Sequence, residues 1–239
     1  VLVFTPISFG AGVDVGSGVI SSSETEDLDW INNWKQYFKQ FYVDDILIIP
    51  SWEEVKEEDK DRMIIHIDPG TAFGTGMHET TQLCIRQLRK FITPETELLD
   101  VGTGSGILAI LSLMFGAKHA VGTDLDICAV EAVAQNCEVN GIDPAQFDMM
   151  IGNIITDKEV QDKVGYECYD IVVANILADV LVPLTPVIVH QLKKGGIYIT
   201  SGIIDDKEQT VVEAVKAAGL EVLEVTYQGE WVSVTARKN

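Results

Sequence analysis

The run Asp100-Val101-Gly102-Thr103-Gly104-Ser105-Gly106 has the residue types of a ligand-binding turn. It follows a short apolar lead-in of strand type, Glu97-Leu98-Leu99, and precedes Ile107-Leu108-Ala109-Ile110-Leu111, which reads as a buried helix. A strand that turns into a helix over glycines presents backbone N–H groups and a positive helix end to a ligand. The acid at the strand's end faces the same crevice. The spacing here is G-x-G-x-G, whereas the nicotinamide-dinucleotide fingerprint is G-x-G-x-x-G. Ala120-Val121-Gly122-Thr123-Asp124 reads as a second strand ending in a carboxylate, 22 residues after Gly102. A carboxylate so placed can accept hydrogen bonds from both ribose hydroxyls of an adenosine, the alternative for Asp124 being a surface acid at a strand end. Turn and acid together point to an adenosine-bearing cofactor, and the closer glycine spacing favours S-adenosylmethionine over NAD.

Two further stretches carry chemistry. Asn175 follows the strand Tyr169–Ala174, and an Asn there either forms a turn or lies beside the reactive end of a cofactor. In the second case its carbonyl, with neighbouring backbone carbonyls, can accept N–H bonds from an amine and orient it. Thr71 to Thr81 holds two glycines and four threonines, a loop able to close over a ligand. Within it His78 could be a base, a contact or a helix cap, and Thr80 or Thr81 an N-cap.

The elements that must position these groups alternate. Strands are predicted at Met63–Asp68, 97–99, 120–124, Phe147–Ile151, Tyr169–Ala174 and Ile197–Thr200. Helices are predicted after Thr81 and over 107–111, 127–139, 178–192 and 207–218. Helix 127–139 is expected to bury Ile127, Val130, Ala134 and Cys137, and Gly195-Gly196 to close helix 178–192 before a loop at 201–204. Glu221–Tyr227 and Trp231–Ala236 form a terminal hairpin. The pattern is that of an α/β fold with a mostly parallel sheet and a C-terminal antiparallel hairpin. Before the first of these strands, Asp27–Phe41 reads as a helix with an aromatic face, Ile46–Ile49 as a strand and Glu53–Asp61 as a solvated, charge-dense linker.

The 239 residues are enough for one large domain, or one domain and a smaller piece. A net charge of −20 argues against nucleic-acid backbone as the main partner and suits a basic protein. Cys84, Cys128, Cys137 and Cys168 form no C-x-x-C pair and read as small core residues of a reducing compartment. No apolar run is long enough to cross a membrane and no signal-peptide pattern stands out, so the cytoplasm is the expected location.

Six segments in order resemble the bacterial ribosomal protein L-eleven (L11) methyltransferase family: DPGTAFGTGMHETT (68–81), LLDVGTGSGILAI (98–110), GTDLD (122–126), VVANILADVL (172–181), SGIIDDK (201–207) and GEW (229–231). The resemblance implies a Rossmann-like class I methyltransferase with a seven-stranded sheet. The implied reaction is methylation, by S-adenosylmethionine and without a metal, of lysine side chains and the N-terminal amine of a large-subunit ribosomal protein. It places cofactor contacts at Thr81, Gly102, Asp124 and Asn175, with Gly104, Phe73 and His78 also lining the site. Asn175 is also the expected catalytic residue. The implied organisation is a remnant of an N-terminal substrate-recognition domain at 1–26, a helical linker at 27–60 and the methyltransferase domain at 61–239. A monomer is expected. The alternatives are methylation of another nitrogen, an amide or a nucleobase, and a nucleotide-binding module without catalysis. Asn175-Ile176-Leu177-Ala178 lacks the proline pair and stacking aromatic that a flipped base would want.

Overall fold

In the computed structural model, residues 39–68 and 78–239 are described. Seven strands form the main sheet: β4 (Glu97–Val101), β5 (His119–Asp124), β6 (Phe147–Ile151), β7 (Tyr169–Asn175), β8 (Leu192–Ile204), β9 (Leu220–Gln228) and β10 (Trp231–Lys238). Their order across the sheet is β6-β5-β4-β7-β8-β10-β9. The first five run parallel to one another, and β10 runs antiparallel to both its neighbours, β8 and β9. This is the class I methyltransferase arrangement, a mostly parallel seven-stranded sheet ending in an antiparallel hairpin. The first of the seven strands in chain order, β4, lies third across the sheet, with β5 on one side and β7 on the other. The direction of crossover therefore reverses at its carboxyl end, which is where open α/β sheets bind ligands.

Helices cover both faces. They are α1 (Glu79–Phe91), α2 (Ile107–Met114), α3 (Cys128–Val139), α4 (Lys158–Val164), α5 (Ala178–Ile188) and α6 (Glu208–Ala217). One core gathers Leu88, Ile110 and Val133 against Leu98, Ile171 and Ile199; the other gathers Leu181, Leu184 and Val211 against Val172, Tyr198 and Val234. A strand buried on both faces must be apolar without alternation, as Ile171-Val172-Val173-Ala174 is. Helix α2 is apolar all round for the same reason. Its one hydroxyl, Ser112 Oγ, donates back to Leu108 O at 2.7 Å.

Several boundaries differ from the sequence expectation. Phe41 opens a strand, β1 (Phe41–Val43), instead of closing a helix; the remainder of that expected helix, 27–38, lies outside the described residues. β1 pairs with β2 (Ile46–Ile49), and β2 runs parallel to β3 (Met63–His66), so a small sheet spans both sides of residue 60. The charged stretch between β2 and β3 is not wholly solvated. Asp59 is buried and accepts from Tyr42 OH at 2.8 Å and Arg62 Nε at 2.9 Å. β8 runs through both Gly195-Gly196 and Ser201–Ile204; at its far end antiparallel partners on β10 (Ile203 with Val232, Ile204 with Trp231) supply the hydrogen bonds that a loop would have left to water. Helix α4 was not anticipated. The buried face of α3 is Ala129, Val133, Asn136 and Cys137, while Ile127 and Val130 are exposed. Cys84 and Cys137 are core residues as expected, whereas Cys128 is exposed and Cys168 half-buried.

Candidate cofactor and acceptor site

A cavity of about 760 Å³ opens at the carboxyl ends of β4, β5, β6 and β7, inside the usual size range for a cofactor site. Gly102, Gly104, Asp124, Asn175 and His78 all reach its wall, so five of the residues singled out by sequence share one space. Thr81 stands behind the wall: it is buried, and its hydroxyl accepts from Asn175 Nδ2 at 3.0 Å. Phe73 lies outside the described residues.

The glycine turn is built by backbone bonds. The N–H groups of Gly102 and Thr103 donate to Thr123 O at 2.8 and 3.1 Å, which ties the turn to the end of β5. Thr103 Oγ1 donates to Asp100 O at 2.8 Å. Gly102 has φ +75°, a region that residues with a Cβ avoid, and a Cβ there would stand 2.6 Å from Ile176 Cγ2. Ile176 is hemmed in from the other side as well. A Cβ on Gly202, also at positive φ, would lie 2.3 Å from Ile176 O. The glycines of two distant motifs thus make room for one residue, the neighbour of Asn175.

Asp124 is oriented by the turn it faces. Its Oδ2 accepts from Gly104 N at 2.8 Å and its Oδ1 from Asp126 N at 2.9 Å. A carboxylate offers about four lone-pair sites, so each oxygen keeps capacity for a ligand hydroxyl. Lining the cavity with it are Leu125, which is 70% exposed, Ile155 and the polar Asn153. These give an apolar surface with one amide, suited to the flat face and polar edge of a base. Asp124 and Asp126 are the two carboxylates of the wall, and among the described lining residues there is no Lys or Arg. Such a lining favours a cation over a pyrophosphate. Asp100, expected to face the crevice, instead lies beneath the turn and is 1% exposed; burial, reinforced by the nearby Asp124 charge, pushes its pKa up to about 7 against a backbone hydrogen bond from Ala109. Its Oδ2 has no hydrogen-bond partner among the described residues.

At the far end, Asn175 closes β7. With Nδ2 donating to Thr81, its carbonyl oxygen has no partner among the described residues. His78 caps α1: its Nδ1 accepts from Thr80 N at 3.4 Å and lies 2.9 Å from Thr80 Oγ1. Of the roles open to His78, the geometry shows the cap, and the ring forms part of the cavity wall. The ring meets Trp231 edge-on, centroids 4.6 Å apart, and Trp231 lines the cavity too. Leu125, Asn153, Leu177 and Trp231 were not singled out as site residues by sequence. Asn153 had a signal, since it follows β6 just as Asp124 ends β5. Trp231 belongs to the GEW segment, but its place in the wall depends on β10 returning beside β8.

The family model described as ribosomal protein L11 methyltransferase (PrmA) matches residues 11–239. A protein of Agathobacter rectalis named ribosomal protein L11 methyltransferase is 62% identical over 229 residues, covering 95% of this chain and 71% of the relative. The crystal structure of a ribosomal protein L11 methylase from Lactobacillus delbrueckii subsp. bulgaricus superposes with a TM-score of 0.75 at 31% identity, over 84% of this chain and 100% of that one. A putative methyltransferase solved in complex with S-adenosylhomocysteine shares the fold at a TM-score of 0.58 and 12% identity, over 68% of this chain and 50% of that one.

Proposed function

The chain belongs to the ribosomal protein L11 methyltransferase family, and from that footing we propose that it transfers methyl groups from S-adenosylmethionine to lysine side chains and the N-terminal amine of L11. The observation that carries this reading is a single cavity with Asp124, oriented by backbone amides, and Asn175, held by Thr81, on its wall. The residues present fit the cofactor: a carboxylate for the ribose, an apolar surface with an amide for the base, and no fixed cation against the sulfonium. When bound, S-adenosylmethionine supplies an electrophilic methyl group open to in-line displacement by a neutral amine.

The chain's own residues do the rest. Gly102 and Gly104 let the backbone approach the cofactor, and Asp124 accepts its ribose hydroxyls. Asn175 Oδ1, left open by the Thr81 bond, accepts an N–H of the incoming amine and turns its lone pair toward the methyl carbon. His78 and Trp231 wall the acceptor end. Neutralising a lysine amine near pH 7 costs roughly 4–5 kcal/mol from its reference pKa. The scheme uses no metal and no covalent enzyme intermediate, and is placed in the cytoplasm on a single copy of the chain. Among the described residues no helix is long and apolar enough to cross a membrane.

The test is transfer of tritiated methyl from S-adenosylmethionine to purified L11, with modified residues located by mass spectrometry. Label on L11 amines supports the reading. Label on nucleic acid, or on no component of a ribosome mixture, overturns it.

A further inference from the structure

Two asparagines one turn apart, Asn136 within α3 and Asn140 at its C-cap, complete the edge of β3 that faces away from β2. His66 N donates to Asn140 Oδ1 at 2.8 Å, and Asn140 Nδ2 donates to His66 O at 2.6 Å. Two residues on, Asp68 N donates to Asn136 Oδ1 at 2.9 Å, and Asn136 Nδ2 reaches Asp68 O at 3.4 Å. The spacings agree: four helical residues rise about 6 Å and two strand residues about 6.6 Å. The pair of amides therefore stands where a neighbouring strand would, opposite the edge that β3 gives to β2.

The two asparagines differ in their remaining bond. Asn140 Nδ2 turns back to its own helix, to Asn136 O at 2.7 Å. Asn136 Nδ2 crosses to Ser105 O at 2.9 Å, inside the glycine turn, and the Asn136 residue is 1% exposed. Ser105 follows Gly104, whose N–H holds the Asp124 carboxylate. One buried amide thus joins the end of β3 to the turn that orients the ribose-binding acid.

We propose that Asn136 is a positioning residue for the cofactor: through Ser105 O it fixes the height of the glycine turn against Asp124, whereas Asn140, alike in chemistry and in its grip on β3, only secures the strand. The ligand named here rests on the proposed function; the mechanical link does not. The experiment compares Asn136→Ala with Asn140→Ala by calorimetric titration with S-adenosylhomocysteine and by amide hydrogen exchange without ligand. Both variants lower the melting temperature. Asn136→Ala weakens S-adenosylhomocysteine binding about tenfold or more and speeds exchange at Gly104 and Gly106; Asn140→Ala changes each by less than about twofold. Should Asn136→Ala fail to fold, Asn136→Thr replaces it, keeping an oxygen near the Asp68 amide on a side chain too short to span to Ser105. Equal losses in the two variants, or an undisturbed turn in both, overturn the proposal. If the wild-type protein does not bind S-adenosylhomocysteine, the functional reading fails, and hydrogen exchange alone decides the role of Asn136.

Discussion

At one end of the cavity the Asp124 carboxylate is held by two backbone N–H groups, those of Gly104 and Asp126; at the other the Asn175 amide is held by one side-chain hydroxyl, that of Thr81. The Asp124 end is therefore a property of main-chain path. It needs glycines and one acid, and little else about its side chains is prescribed. The Asn175 end is assembled from side chains on β7, α1 and β10, which the chain brings together across more than 150 residues. Backbone construction makes a rigid seat; side-chain construction makes a geometry that single substitutions can retune. Binding and turnover should then be separable by mutation, except where one residue serves both ends.

Ile176 is such a residue, wedged between Gly102 and Gly202. Gly202→Ala would drive a Cβ into the Ile176 carbonyl at a positive φ, and the expected result is loss of both binding and transfer with a melting temperature roughly 5–10 °C lower. Differential scanning calorimetry and cofactor titration check it; a variant with wild-type affinity would show that the ends are not coupled through Ile176. Asn175→Ala should lower turnover about 100-fold, the scale of a lost positioning contact, while leaving cofactor affinity far less changed. Steady-state kinetics beside equilibrium titration separate the two, and equal losses would make Asn175 a binding residue only. Asp124→Ala should do the reverse, weakening cofactor binding by about 1.5–3 kcal/mol. Thr81→Val removes only the hydroxyl that holds Asn175, for an expected loss of about fivefold in turnover and no change in cofactor titration.

The smallest effect concerns pH. Asp100 carries a pKa near 7 when folded, above its unfolded value, so between about pH 4 and 7 the folded state binds more protons than the unfolded. Its contribution to stability is complete below that window and is lost as pH rises through it. Asp100→Asn should therefore melt with a flatter dependence between pH 5 and 7.5 than the wild type. Parallel slopes would mean that the buried acid does not titrate there.

The Asp124 end of the cavity was legible in the sequence because its determinants are local. A G-x-G-x-G run and an acid closing the next strand fix a turn and a carboxylate without knowledge of the remaining chain. Asn175 was legible for the same reason, at a strand's carboxyl end. Trp231 became part of the wall only through β10 pairing with β8, a non-local fact. The tertiary sheet also overrode local signals at Gly195-Gly196 and Ser201-Gly202, which look like chain breaks and lie within β8. Asn136 was hidden by hydropathy. A periodicity search assigns the buried face of α3 to apolar residues, yet a fully hydrogen-bonded amide is as much at home there as Val133.

The most direct measurement is a crystal structure with S-adenosylhomocysteine bound. The account expects the ribose hydroxyls within hydrogen-bond distance of Asp124 and the thioether sulfur directed toward Asn175. A ribose seated elsewhere, or a sulfur pointing away from β7, would contradict it.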